Sequence, residues 1–195
     1  MIVYWILLCV IACERIAELV VSARHAKGLL ARGGVEYGFD HFPVMIVLHV
    51  ALIAGCVLEP LLGHRTFVPA LGWTMLAVTV AANVLRWWCI GTLGSRWTAR
   101  VIVLPGAPLV RSGPYRWFGH PNYVAVIIEG FALPLTGSAL ITAYAFTVLN
   151  AVLLTLRIRC ETRALAAASG AVTAACGEGA PRPRSPARNR ARIHR

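Results

Sequence analysis

The feature that most constrains this chain is a succession of apolar runs, nearly free of charge, separated by short polar breaks. They cover about residues 1–21, 43–62, 68–90, 121–135 and 138–156. A helix needs about 20 mostly apolar residues to cross a bilayer, and shorter ones are tolerated inside a bundle. The third run ends in Arg86-Trp87-Trp88, which reads as a basic and aromatic anchor at the membrane interface. Residues 91–120 are too rich in Gly, Pro and Arg to span and read as a loop. Thr136-Gly137-Ser138 is a tight uncharged turn, so the last two runs form a helical hairpin. The expected fold is an all-α integral membrane protein of about five transmembrane helices, within one domain over residues 1–165. Composition agrees: 58% of residues are apolar and 14% charged, against about 25% charged in soluble domains. That balance excludes soluble globular, disordered and fibrous classes.

The charges are few and one-sided, 19 Lys+Arg against 8 Asp+Glu, a net +11. Six of the arginines fall in residues 166–195 with Pro, Gly, Ser and a single acid, Glu178. Such a segment cannot bury a core, so it reads as a disordered basic tail suited to anionic lipids of the inner leaflet. A nucleic-acid partner is not expected. Placing the N-terminus outside leaves sixteen basic residues on the inner side of the five-span scheme and Arg65 alone on the outer side. The positive-inside rule therefore orients the chain N-out and C-in. Met1-Ile2-Val3-Tyr4-Trp5 lacks a basic n-region and no small-residue cleavage site follows, so no secretory signal peptide is expected. The six cysteines show neither a CxxC nor a metal-binding spacing with His, so no metal and no disulfide is expected.

Chemistry concentrates in four places. The first is Arg111-Ser112-Gly113-Pro114-Tyr115-Arg116-Trp117-Phe118-Gly119-His120-Pro121-Asn122-Tyr123. Gly-Pro makes a turn and Pro121 suits the first position of a helix capped near His120. The free N–H groups of that helix start favour an anionic ligand group, although the same residues also suit an interfacial anchor. The second is Arg157-Ile158-Arg159-Cys160-Glu161, where Arg157 and Glu161, four apart, share a helix face with Asn150. They suit a ligand carrying both charges, or an inner-side arginine paired with an acid. The third is Glu129, a carboxylate inside the fourth run on the face of Asn122, which reads either as part of a polar network in the bundle or as a catalytic or substrate contact. The fourth is Glu14, Arg15 and Glu18 with His49, which read as polar contacts between helices.

Taken together, Gly113-Pro114-Tyr115-Arg116, His120-Pro121-Asn122-Tyr123, Glu129 and Arg157 with Glu161 and Leu165 resemble the isoprenylcysteine carboxyl methyltransferase family. The first half narrows the likeness. Glu14-Arg15, Glu18-Leu19, Gly33-Gly34-Val35-Glu36, His41, Leu48-His49 and Arg96-Trp97-Thr98 resemble a bacterial subgroup associated with type III polyketide synthases. The resemblance implies S-adenosylmethionine as cofactor, held by Gly113, Tyr115, His120, Pro121, Tyr123, Arg157 and Glu161. It also implies O-methylation of a lipophilic acceptor such as a long-chain alkylpyrone, alkylresorcinol or quinol. Gly119 stands where the family usually has Arg before the His-Pro pair, which leaves Arg116 or Arg111 to supply that charge.

An acidic enol is already ionised and needs no base. A phenol needs one, and Glu129 or His41 is the candidate catalytic residue. Two other classes compete. Membrane enone and sterol reductases that use NADPH carry a similar His-Pro-Asn-Tyr hairpin, and a non-catalytic membrane scaffold needs no site at all.

Overall fold

The computed structural model describes residues 2–63 and 67–177, with side chains described through residue 167. Five helices make up most of it: α1 (Ile2–Ala31), α2 (His41–Leu62), α3 (Pro69–Leu93), α4 (Pro121–Thr136) and α5 (Leu140–Gly177). Three of them, α2, α3 and α5, are long and apolar enough to cross a membrane. Apolar side chains such as Val47, Val84 and Val152 stand exposed on their outer faces, as a lipid-facing surface requires. At 16 residues α4 rises about 24 Å and packs chiefly against α3 and α5.

Local chemistry sets the helix ends. Pro69 and Pro121 occupy first-turn positions, where a missing N–H costs nothing. α1 stops at Gly33, whose φ of 86° is open to glycine without strain, and the Gly34 amide folds back to the Leu29 carbonyl at 2.9 Å. The α4–α5 hairpin turns through Gly137 and Ser138 as the sequence predicts. Glu59 of α2 holds the other end of that turn, accepting the Ile141 and Thr142 amides at 2.9 and 2.8 Å. It supplies from a neighbouring helix the acceptors that the first turn of α5 lacks.

Two helices outrun the expected apolar runs. α1 continues ten residues past Val21, because Ser22, Ala26 and Leu29 prolong the buried stripe of Tyr4, Leu8, Ile11 and Glu18. α5 continues through Gly177, beyond the expected start of the basic tail, and residues 178–195 lie outside the described residues.

The stretch expected to be loop contains a strand. β2 (Val101–Val103) pairs antiparallel with β1 (Val35–Tyr37), setting Val35 opposite Val103 and Tyr37 opposite Val101. Arg100 fastens this ribbon, lying 3.3 Å from Glu36 and 4.8 Å from the centre of the Phe42 ring. The main core lies at the opposite end of the bundle, where Tyr4, Leu8, Ile11, Leu52, Cys56, Leu133 and Phe146 close together.

Candidate active site

A cavity of about 920 Å³ opens among α1, α2, α4, α5 and the segment from Arg96 to Val110. Its size is at the upper end for a small-molecule site. Tyr115, His120, Tyr123, Arg157 and Glu161 line it together, joined by Asn122 and Asn150. The hairpin makes this possible. Asn122 and Tyr123 stand in the first turn of α4, while Glu161, Arg157 and Asn150 form one stripe along α5.

Glu161 is the hub. It accepts a hydrogen bond from the Tyr123 phenol at 2.8 Å and lies 3.6 Å from His120 Nδ1. The His120 and Tyr123 rings stack, with centroids 5.4 Å apart. Arg157 lies 6.0 Å from the centre of the Tyr123 ring and donates to the Ala99 carbonyl at 2.6 Å. The Ala99 amide in turn donates to Ser22 Oγ at 2.9 Å, so the backbone of one residue ties α1 to α5 across the mouth. Tyr115 reaches the wall from the short helical turn Gly113–Arg116, and burial pushes its phenol above the usual range.

The other candidates fall elsewhere. Gly113 and Pro121 support the wall without lining it. Gly113 has a φ of 54°, and a Cβ there would meet Thr92 Oγ1 at 2.5 Å, so glycine lets the loop lie against α3. Pro121 is buried and starts α4. His41 lines a separate cleft with Tyr37, Arg159, Cys160 and Arg163, its Nδ1 without a hydrogen-bond partner. Glu129 lies behind the cavity wall, 2.7 Å from Arg86 and 3.9 Å from Arg15. Neither Arg111 nor Arg116 lines the cavity; the cation beside His120 and Glu161 is Arg157.

Arg86 corrects the sequence reading most clearly. Trp87 and Trp88 are exposed as an interface anchor requires, but Arg86 is 5% exposed and turns inward to Glu129. Its sequence signal is a long-range one, the carboxylates Glu18 and Glu129 in other apolar runs. Asn122 Oδ1 is buried on the wall without a hydrogen-bond partner, a placement that the His-Pro-Asn-Tyr motif alone does not signal.

The fold and this cavity define a helical membrane protein with a polar site at one end of its bundle. Residues 75–167 match the isoprenylcysteine carboxyl methyltransferase (ICMT) family. The chain is 35% identical over 163 residues to the uncharacterized protein YpbQ of Bacillus subtilis, covering 83% of this chain and 96% of that one. It is 29% identical over 158 residues to an uncharacterized protein of Haemophilus influenzae, covering 80% of this chain and 91% of that one. No solved structure matches. The chain belongs to the isoprenylcysteine carboxyl methyltransferase family, and is a membrane methyltransferase by that membership.

Proposed function

We propose that the chain transfers a methyl group from S-adenosylmethionine to an oxygen of a lipophilic acceptor. The observation that carries this reading is the pairing of Arg157 and Glu161 on one cavity wall beside the rings of Tyr123 and His120. S-adenosylmethionine supplies an electrophilic methyl on a sulfonium and carries both a carboxylate and an ammonium.

The residues present fit that group. Arg157 Nε and Asn122 Oδ1 are buried without hydrogen-bond partners, one a donor for a carboxylate and the other an acceptor for an ammonium. Glu161 adds the opposite charge for an ammonium or hydroxyls, and the tyrosine faces suit a cation. Gly119 borders the same space with nothing within 4 Å of a Cβ built on it, which leaves the mouth wide there.

What the chain's own residues do is bind, orient and exclude water. Arg157 and Ser22 hold the backbone of Ala99 as part of the mouth, and the Arg96–Val110 segment covers the cavity. Alignment of donor and acceptor in a dry site supplies most of the acceleration that methyl transfer needs. The far flank is apolar: Ala12, Ile16, Ile46, Val50 and Ile53 line it, and Ile16 and Val50 are each 64% exposed. That opening between α1 and α2 suits an acyl tail entering from the bilayer. In this reading five helices span, N-out and C-in, so the Arg157–Glu161 end faces the cytoplasm and the basic tail meets anionic lipid.

The test is ligand stabilisation followed by chemistry. Detergent-solubilised protein is heated with S-adenosylhomocysteine or NADP, then incubated with labelled S-adenosylmethionine and a lipid extract. Stabilisation by the first ligand and an organic-soluble methyl label support the reading. Stabilisation by NADP alone favours the reductase class, and none by either ligand favours a scaffold.

A further inference from the structure

Deep in the cavity, α1, α3 and α4 contribute a closed ring of four charges. Glu18 lies 2.8 Å from Arg15 and 3.5 Å from Arg86, and Glu129 lies 2.7 Å from Arg86 and 3.9 Å from Arg15. Each carboxylate faces both guanidiniums, and the ring sums to zero. Such an arrangement is expensive in an apolar interior and needs every polar atom partnered to offset the cost of burial. Here the partnering is incomplete. Arg15 Nε and Nη1, Arg86 Nε and Glu18 Oε1 are buried with no hydrogen-bond partner, and the Arg15–Glu18 contact is close without hydrogen-bond alignment.

The residues that carry the unpartnered atoms are the ones that line the cavity. Arg15, Glu18 and Arg86 line the cavity, whereas Glu129 does not. They also lie apart from the cofactor residues. Asn122, Val126 and Glu129 follow one stripe of α4, so the ring is about 10 Å deeper along the helix than Asn122. Beside the ring, the apolar flank of α1 and α2 leaves room for a chain that runs out toward the bilayer. The other charged or titratable neighbours do not complete the ring. Glu14 is taken by Asn83 and Trp87, and His49 Nδ1 by the Met45 carbonyl.

The geometry points to a head-group subsite: Arg15, Arg86 and Glu18 together bind the head of an uncharged amphiphile that carries a hydroxyl beside a second oxygen. A hydroxyl hydrogen meets Glu18 Oε1, and oxygen lone pairs meet the free N–H groups of Arg15 and Arg86. A neutral head is favoured because the ring has no net charge to spend on an ion. This inference rests on the proposed methyl transfer for the identity of the bound amphiphile as the acceptor, but its binding is separable from that chemistry.

The probe is a pentadecyl resorcinol, with its dimethyl ether as the comparison. Binding to the full chain in detergent is measured with and without S-adenosylhomocysteine. The resorcinol is expected to bind the wild type about tenfold or more tightly than the ether, since the ether cannot donate to Glu18. The double variant Arg15→Gln with Glu18→Gln keeps the ring neutral and the Arg86–Glu129 pair intact. It is expected to lose that preference while binding S-adenosylhomocysteine within about twofold of wild type.

Equal affinity of the two amphiphiles for wild type overturns the subsite, as does a double variant that keeps the preference. Should the double variant fail to fold, wild type decides alone. A resorcinol carrying a diazirine beside its head is expected to label α1 or α3 peptides containing Arg15 or Arg86. Labelling confined to the Arg96–Val110 segment overturns the proposal. A wild type that prefers the resorcinol yet ignores S-adenosylhomocysteine keeps the subsite and removes the methyltransferase reading.

Discussion

Tyr123 donates its phenolic hydrogen to Glu161 at 2.8 Å, joining the first turn of α4 to the C-terminal half of α5. The bond fixes the carboxylate beside His120 and Arg157 rather than leaving it to rotate toward solvent. Glu161→Ala removes the hub, and is expected to abolish binding of S-adenosylhomocysteine in a calorimetric titration. Tyr123→Phe keeps the ring and loses only the donor, so binding should weaken about tenfold, the worth of one hydrogen bond to a charged group. Wild-type affinity in both variants removes Glu161 from the site.

A second prediction concerns a residue that touches no ligand. Ser22 Oγ accepts the Ala99 amide at 2.9 Å and lies 3.1 Å from Thr98 Oγ1, while Arg157 takes the Ala99 carbonyl. Ser22→Ala leaves a part-buried amide unsatisfied, at about 1–3 kcal/mol. The mouth segment should loosen, showing faster protease cleavage between Arg96 and Val110. Affinity for S-adenosylhomocysteine should fall by a few fold through Arg157. Unchanged cleavage means that the strap does not hold the mouth.

Much of this fold was legible because helices in a bundle obey local rules. Pro121 marked the start of α4, Gly137 marked the hairpin turn, and the Arg157–Glu161 spacing marked a shared face that the cavity wall reproduces. What was not legible depends on partners distant in sequence. Val35–Tyr37 and Val101–Val103 are each three residues, too short for any periodicity, and become strands only by meeting one another. Arg86 looked like an anchor because its neighbours Trp87 and Trp88 are anchors; one step along a helix turns a side chain about 100° and changes its surroundings entirely. His41 was grouped with the chemistry by motif alone, and the fold sets it in another cleft.

Close packing gives a third prediction. The Phe146 ring fills the space where a Cβ on Gly130 would stand, at the contact between α4 and α5. Gly130→Ala therefore forces Phe146 from its place or the helices apart. Overpacking of this kind costs about 1–3 kcal/mol, and the melting temperature in detergent should fall. Adding Phe146→Leu to Gly130→Ala should recover part of the loss, because the smaller side chain vacates that space. A Gly130→Ala protein as stable as wild type means that α4 and α5 are not in tight contact there.

The buried ring makes the strongest stability prediction. Arg86 is 5% exposed and is the closest partner of Glu129, so Arg86→Met leaves two carboxylates facing only Arg15. Removing one member of a buried ion pair costs about 3–5 kcal/mol, most of it from the uncompensated charge left behind. Thermal unfolding in detergent should therefore occur well below wild type, with much of the protein lost on solubilisation. If charge imbalance is the cause, a second neutralisation helps rather than harms: Arg86→Met with Glu129→Leu should be more stable than Arg86→Met alone. Two losses that simply add would mean that the residues act independently, and that the ring holds α3 to α4 by packing rather than by charge.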